Sequence, residues 1–324
     1  MSSSKGTATP SPPTPVVRSK VAKSIFASPT TRRPCALGAD RSAFTSFARA
    51  EVTSVTFHSR EALVHFLGRH GLAAEKKLGQ HFLADPLIVS KMVGALTGIR
   101  SVLEVGPGPG ILTGPMCDVV SNVSFIEIDE RMRGPLSQTA PTAQAHFGDA
   151  LQTDIGPILD GLEAPCAIVS NLPYYITAPL LERFTAQRGK VERMVLMMQR
   201  EVGDRIAAPA GKGERGSLSV SLQRLFTIEK LVDVPPEAFA PPPKVRSIVL
   251  VLTPRQVEAD PLFEKLVRAA FVHPRKTLGN NLGAIYPREC VNAALEAVGL
   301  VPTVRPHQLT EEQWLTLQSA LSAS

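Results

Sequence analysis

The chain has 324 residues, 44% of them hydrophobic, with a formal net charge of +6 and a pI ≈ 9.3. That length and apolar content suffice for a buried core and for two domains, and no run approaches the ~18 apolar residues of a membrane span, which points to a soluble protein. A basic pI invites a nucleic-acid reading, yet nine Lys/Arg and two Asp/Glu fall in the first 60 residues, so the other 264 hold 26 basic and 27 acidic groups and the excess belongs to the leader.

Residues 1 to about 55 are rich in Ser, Thr, Pro, Ala and Arg, nearly free of acid and without apolar periodicity. A disordered basic extension over residues 1–58 is expected. Its composition suits an organellar transit peptide, a low-complexity bacterial extension or a start assigned too far upstream, so cytoplasm is the first expectation and a mitochondrion or plastid the alternative. Helices are predicted over 60–69 and 86–96, on either side of Lys76-Lys77-Leu78-Gly79-Gln80-His81-Phe82-Leu83. Strands then alternate with helices at 101–105, 123–128, 143–147, 165–170, 191–198, 228–233 and 245–252. Such alternation predicts an α/β fold with a doubly wound, mostly parallel sheet. The last two strands lack a long helix between them, so an antiparallel hairpin is expected at that edge. The three Met of 191–198 suit a buried strand. After it comes a helix with Arg200 and Arg205, then the loop Ala207–Gly216, read as a mobile flap. From Pro254 the pattern is helical, at 261–271, 275–284, 288–298 and 310–321, with Trp314 in the core. The organisation expected is therefore an α/β domain over 59–253 and a smaller all-helical domain over 254–324.

Ser101–Val105 runs straight into Gly106-Pro107-Gly108-Pro109-Gly110, a strand, glycine turn and helix unit in which glycines let the backbone approach a cofactor. The spacing G-x-G-x-G differs from the dinucleotide pattern G-x-G-x-x-G, since position 111 is Ile, and this argues against NAD. Glu104, two residues before Gly106, is placed to attract a cation such as an amino-acid ammonium or a sulfonium. The next strand ends at Glu127, about 20 residues past the glycines, where a doubly wound sheet keeps its ribose-binding carboxylate. The strand after it ends at Gly148-Asp149, and Asp149 can accept from an adenine amine. Each acid alone reads more readily as a solvated loop carboxylate; together, on one edge of the sheet, they describe a nucleoside cofactor that includes an amino acid.

Asn171-Leu172-Pro173-Tyr174 follows the apolar run Cys166–Ser170. An Asn carboxamide oxygen and a neighbouring backbone carbonyl can both accept from an exocyclic NH₂, Pro173 fixes the bend, and the Tyr174 ring offers a face to a purine. The alternative is that Asn171 caps the helix predicted at Tyr175–Arg183 and Tyr174 is ordinary core. Cys35, Cys117, Cys166 and Cys290 are scattered and the seven His form no paired pattern, so neither a disulfide framework nor a metal site is expected.

With these motifs in this order, the chain resembles the ribosomal RNA adenine dimethyltransferases of the KsgA type. The resemblance runs over residues 65 to 320, from the Lys76–Leu83 segment through Pro241-Pro242-Pro243-Lys244-Val245 to Arg275-Lys276-Thr277-Leu278. It implies a Rossmann-like methyltransferase domain, an all-helical C-terminal domain for RNA and subunit contact, and S-adenosylmethionine as methyl donor. The substrate it implies is two adjacent adenosines in a hairpin loop near the 3′ end of small-subunit rRNA, dimethylated on an immature small ribosomal subunit by a monomer. It further implies that His81 and Leu83 line the cofactor pocket, with Gly106 against the methionine part, Glu127 on the ribose and Asp149 on the adenine; the glycine-turn reading adds Glu104, Gly108 and Gly110 to the same expected pocket. Asn171 would touch cofactor and substrate, the Leu172 carbonyl would help orient the amine, and Tyr174 would stack on the flipped base. RNA contacts are expected at Lys76, Lys77, Arg200, Arg205, Lys212, Arg215, Arg275 and Lys276. The chain departs from the family at His81, where Asn is common, at Arg215, where Tyr precedes the Gly, at Arg246, where an acid is usual, and in one fewer cation over 273–276. A large-subunit adenine dimethyltransferase and a non-catalytic nucleic-acid-binding factor of the same fold are the alternatives.

Overall fold

The computed structural model describes residues 57–75 and 79–322. The expected N-terminal extension, but for its last two residues, and the expected RNA contacts Lys76 and Lys77 lie outside the described residues. Helix α1 (Arg60–Arg69) is started by Ser59, whose hydroxyl accepts from Ala62 N, and α2 (Pro86–Gly94) by Asp85 with Pro86 in the first turn, the position where proline's missing N–H is harmless. Between them β1 (Phe82–Leu83) pairs antiparallel with β8 (Phe239–Ala240), a contact across more than 150 residues that brings the His81 segment beside Pro241.

The main sheet contains β2 (Ser101–Val105), β3 (Asn122–Glu127), β4 (Gln144–Phe147), β5 (Cys166–Asn171), β6 (Arg193–Gln199), β7 (Phe226–Val234) and β9 (Ser247–Pro254). Its order is β4-β3-β2-β5-β6-β9-β7. The first five strands are parallel, while β9 runs antiparallel to both β6 and β7. The expected doubly wound sheet with an antiparallel edge is therefore present, with β9 inserted between β6 and the edge strand β7. Connections are made by α3 (Thr113–Val119), α4 (Arg133–Thr139), α5 (Ile155–Asp160), α6 (Thr177–Ala186), α7 (Arg200–Ile206) and α8 (Ser217–Leu225).

Helices cover both faces, so the central strands are apolar on both sides rather than alternating with polar residues. Val102, Ala167, Val169, Val195 and Met197 join one core, and Leu103, Val105, Ile168, Met194, Leu196 and Met198 the other. The chain winds outward from β2 to β4 and returns to β5 on the other side of β2, which makes the carboxyl ends of β2 and β5 the switch point where ligands of such sheets sit.

Beyond β9, α9 (Pro261–Ala270), α10 (Leu278–Leu282), α11 (Arg288–Ala297) and α12 (Glu311–Ser322) enclose a third core. Trp314 is fully buried there, as expected, and stacks on Phe271 with ring centroids 6.1 Å apart. Val220 of α8 also packs into this cluster. The helix expected over 275–284 is shorter than its pattern suggests: it starts at Leu278, after Thr277, whose hydroxyl accepts from Asn280 N.

Candidate active site

The carboxyl rim of β2, β3, β4 and β5 opens into a cleft of about 190 Å³. The β1 segment and the loop after β5 form its walls. Glycine-turn residues Gly106 and Gly108 line it, with Glu104, Glu127, Asp149, Asn171, Leu172, Pro173, Tyr174, His81 and Leu83. Sequence reasoning thus brings one carboxylate from each of three adjacent strands and the Asn171 turn to a single place.

The three glycines differ in purpose. All have positive φ, at 74°, 57° and 87° for Gly106, Gly108 and Gly110, a region open to glycine and strained for other residues. A Cβ on Gly106 would meet nothing within 4 Å, so this residue leaves room for a ligand, whereas one on Gly108 would lie 3.1 Å from the Phe82 ring. Gly110 does not line the cleft. A Cβ there would fall 2.1 Å from Thr139 Oγ1, so its smallness serves packing of the glycine turn on α4, and its expected place in the cofactor site is corrected accordingly.

Glu104 is 1% exposed and accepts a hydrogen bond from the Thr113 hydroxyl at 2.6 Å. Burial pushes its pKa up to about 8, with a smaller push from Glu127, because a charge is costly out of water. The carboxylate expected from the sequence is thus largely a neutral acid at pH 7. Glu127 is also buried, and burial raises its pKa, but Gly108 N and Asp129 N donate to its two oxygens at 2.9 and 2.8 Å and oppose that shift. Asp149 accepts from Leu151 N at 2.8 Å through Oδ1.

Asn171 ends β5 and does not cap a helix: the turn that follows begins at Pro173, and α6 has no side-chain cap. Its Nδ2 donates to the His81 carbonyl at 3.2 Å. That bond fixes which end of the carboxamide faces the peptide and leaves Oδ1 as an acceptor. Tyr174 is half-buried rather than core. Its hydroxyl is 2.7 Å from Ser247 Oγ and its ring stacks on His81, with centroids 6.1 Å apart and planes 21° from parallel. His81 in turn places Nδ1 2.8 Å from Pro241 O. These are the contacts through which the β1–β8 pair holds the Asn171 turn.

Sequence reasoning missed a clasp beside the cleft. Gln80 Nε2 donates to Asp129 Oδ2 at 2.9 Å, and Arg131 bridges Asp129 and Glu75. The Arg131 hydrogen bond holds the Asp129 carboxyl below its ordinary range. Its only signal in the sequence is the Asp two residues after Glu127.

The cations expected on the substrate side are not equivalent. Arg215 is 5% exposed and donates to the carbonyls of His307 and Leu309, so it ties the chain to the C-terminal helices and cannot reach RNA. The Ala207–Gly216 loop is docked rather than a free flap, since Gly211 N also donates to His307 O and Gln223 Nε2 donates to Ile206 O and Ala208 O. Arg200 pairs with Asp204 and Asp233, and Arg205 with Glu201, which offsets their charge. Lys212, Arg275 and Lys276 are exposed without an ion pair among the described residues. Lys244 and Arg246, on the loop leading to Ser247, share that property and lie within three residues of the hydroxyl that Tyr174 meets. Among the described residues, no helix is long and apolar enough to cross a membrane, and no group of three His, Cys, Asp or Glu could hold a metal ion.

A family model described as ribosomal RNA adenine dimethylase matches residues 71–322. The ribosomal RNA small subunit methyltransferase A of Synechococcus elongatus is 38% identical over 263 residues, covering 76% of this chain and 94% of that protein. The protein of the same name from Dichelobacter nodosus is 38% identical over 260 residues, covering 77% and 96%. Among solved structures, a dimethyladenosine transferase from Plasmodium falciparum aligns with a TM-score of 0.63 at 26% identity, over 73% of this chain and 96% of that one. The 23S rRNA methyltransferase ErmE aligns at 0.58 and 27%, over 74% and 99%. With the motifs of the family gathered at one rim of the sheet, the chain belongs to the ribosomal RNA adenine dimethylase family.

Proposed function

We propose that the protein transfers methyl groups from S-adenosylmethionine to the exocyclic amines of two adjacent adenosines in a hairpin loop near the 3′ end of small-subunit rRNA. The observation that supports this reading most is the Asn171 carboxamide, anchored through Nδ2 to His81 O with its acceptor oxygen beside Leu172 and the fixed Tyr174 ring. The cofactor fits the residues present: Gly106 leaves open space where a side chain would intrude, and carboxyl groups of the required kind stand at the ends of β3 and β4. Glu127 takes the ribose hydroxyls, Asp149 the adenine amine, and Gly106 with Glu104 the amino-acid end.

When bound, the sulfonium supplies an activated methyl and its own leaving group. The protein's task is placement. An adenine amine is a poor nucleophile because its lone pair is delocalised into the ring. Asn171 Oδ1 and the Leu172 carbonyl accept its two N–H bonds, draw the nitrogen toward a tetrahedral shape and free the pair. The target base leaves its stack and rests on Tyr174. No strong base is needed, since the methylated nitrogen is acidic enough to lose its proton to water. The helices after Pro254, with Arg275 and Lys276 exposed on their first loop, hold the RNA. The substrate is an immature small subunit, the protein acts as a monomer, and the compartment is the cytoplasm.

The test is incubation of the full chain with unmethylated small subunits and labelled S-adenosylmethionine, followed by mapping. Label on two adjacent adenosines of small-subunit rRNA supports the reading. Label in large-subunit rRNA, or RNA binding without label, overturns it.

A further inference from the structure

Tyr174 and Tyr175 are neighbours in the chain and both line the cleft, but they are held differently. The Tyr174 hydroxyl is bonded to Ser247 and its ring lies against His81. Tyr175 is 59% exposed, and its hydroxyl has no hydrogen bond among the described residues. A single exposed aromatic is ordinary on a protein surface. This one is also pinned: Gly79, at φ +59°, brings its backbone so close that a Cβ there would lie 3.3 Å from both Cδ1 and Cε1 of the ring. One side of Tyr175 is therefore braced by a residue whose left-handed φ favours glycine, while the rest stays in solvent at the mouth of the cleft.

We propose that Tyr175 is a second nucleobase subsite, which stacks the unpaired base next to the target adenosine while Tyr174 receives the target itself. The inference rests on the function proposed above. Drawing one base from a single-stranded loop strips its neighbour of a stacking partner, and an aromatic face at the rim restores one without reading sequence. A braced ring loses little freedom on binding, and the free hydroxyl marks the ring rather than a polar contact as the working part.

The experiment compares Tyr175→Phe, Tyr175→Leu and Tyr175→Ala in the full chain. Calorimetry measures the dissociation constant of S-adenosylhomocysteine, and steady-state methyl transfer to small subunits separates kcat from KM. The expected result is an unchanged affinity for S-adenosylhomocysteine in all three, wild-type KM for the Phe variant, and a KM for RNA raised roughly tenfold or more in the Leu and Ala variants. Leu keeps apolar contact with Gly79, so it holds the local packing if Ala does not. A Leu variant as good as wild type, or a loss confined to S-adenosylhomocysteine binding, overturns the subsite. Failure of the wild-type chain to methylate would instead defeat the function on which it rests.

Discussion

Changing Glu104 to Gln keeps the side chain's shape and the acceptor for the Thr113 hydroxyl while removing the titration. With a pKa of about 8 in the folded protein, roughly a tenth of Glu104 is ionised at pH 7 and most of it at pH 9. If a cationic cofactor ammonium needs the anion, the apparent dissociation constant of the wild type is weakened by the competent fraction, about tenfold or ~1.4 kcal/mol at pH 7. Calorimetric titration with S-adenosylhomocysteine between pH 6 and 9 should then show wild-type affinity rising toward pH 8 relative to the Gln variant. The cofactor's own amine titrates in the same window, so the difference between the two proteins isolates Glu104. At pH 7 the wild type should also release nearly one proton on binding, seen as a dependence on buffer ionisation heat that the variant lacks. The same raised pKa fixes the sign of a stability effect: the contribution of protonated Glu104 is complete below about 4.5 and is lost as pH rises to about 8. The Gln variant should therefore exceed the wild type in stability above pH 8, with the gap closing on acidification by up to ~1.4 kcal/mol per pH unit. Superimposable pH profiles would refute both the neutral acid and its part in binding.

Gly110→Ala should lower stability by roughly 3 kcal/mol, from overlap with Thr139 and left-handed strain, and thermal unfolding should show a smaller loss, from left-handed strain alone, for Gly106→Ala, whose further effect should fall on S-adenosylhomocysteine affinity. Glu127→Ala should weaken that affinity by about 1.5–3 kcal/mol through lost charge-assisted hydrogen bonds; an unchanged dissociation constant removes the ribose assignment. Arg215→Ala should cost ~1–3 kcal/mol of stability by leaving the buried Leu309 carbonyl without its donor, with the salt dependence of RNA binding unchanged. The double change Arg275→Ala, Lys276→Ala should do the reverse, keeping the unfolding midpoint while the slope of log affinity against log salt falls by about 1 to 2.

The sheet was legible because its central strands are buried on both faces, which writes short apolar runs such as Val102-Leu103 and Ile168-Val169 into the sequence. The short helices α3, α4 and α5 left weaker traces, since each has a Gly-Pro pair in its first turn and too few residues to show a period. The β1–β8 pair left none, having two residues a side and a partner more than 150 positions away. The acids of the site were readable from their distance to the glycine turn, because strand ends in this fold converge on one rim. What sequence could not reveal is which way a residue faces once distant segments arrive. Gly110 serves Thr139, Arg215 serves the carbonyls of His307 and Leu309, and the His81 carbonyl sets the Asn171 amide, all through contacts 29 or more positions apart. The flap was misread for the same reason: its Gly and Pro content marks a loop, but not the C-terminal residues that hold it.

The central claim is that the Asn171 oxygen, oriented by His81, makes an adenine amine reactive. Its most direct measurement is single-turnover transfer of labelled methyl to unmethylated small subunits by the wild type and by Asn171→Ala, with S-adenosylhomocysteine affinity determined on the same samples. Loss of transfer in the variant with only a modest drop in affinity is the expected result. An Asn171→Ala protein that still methylates at the wild-type rate would contradict it.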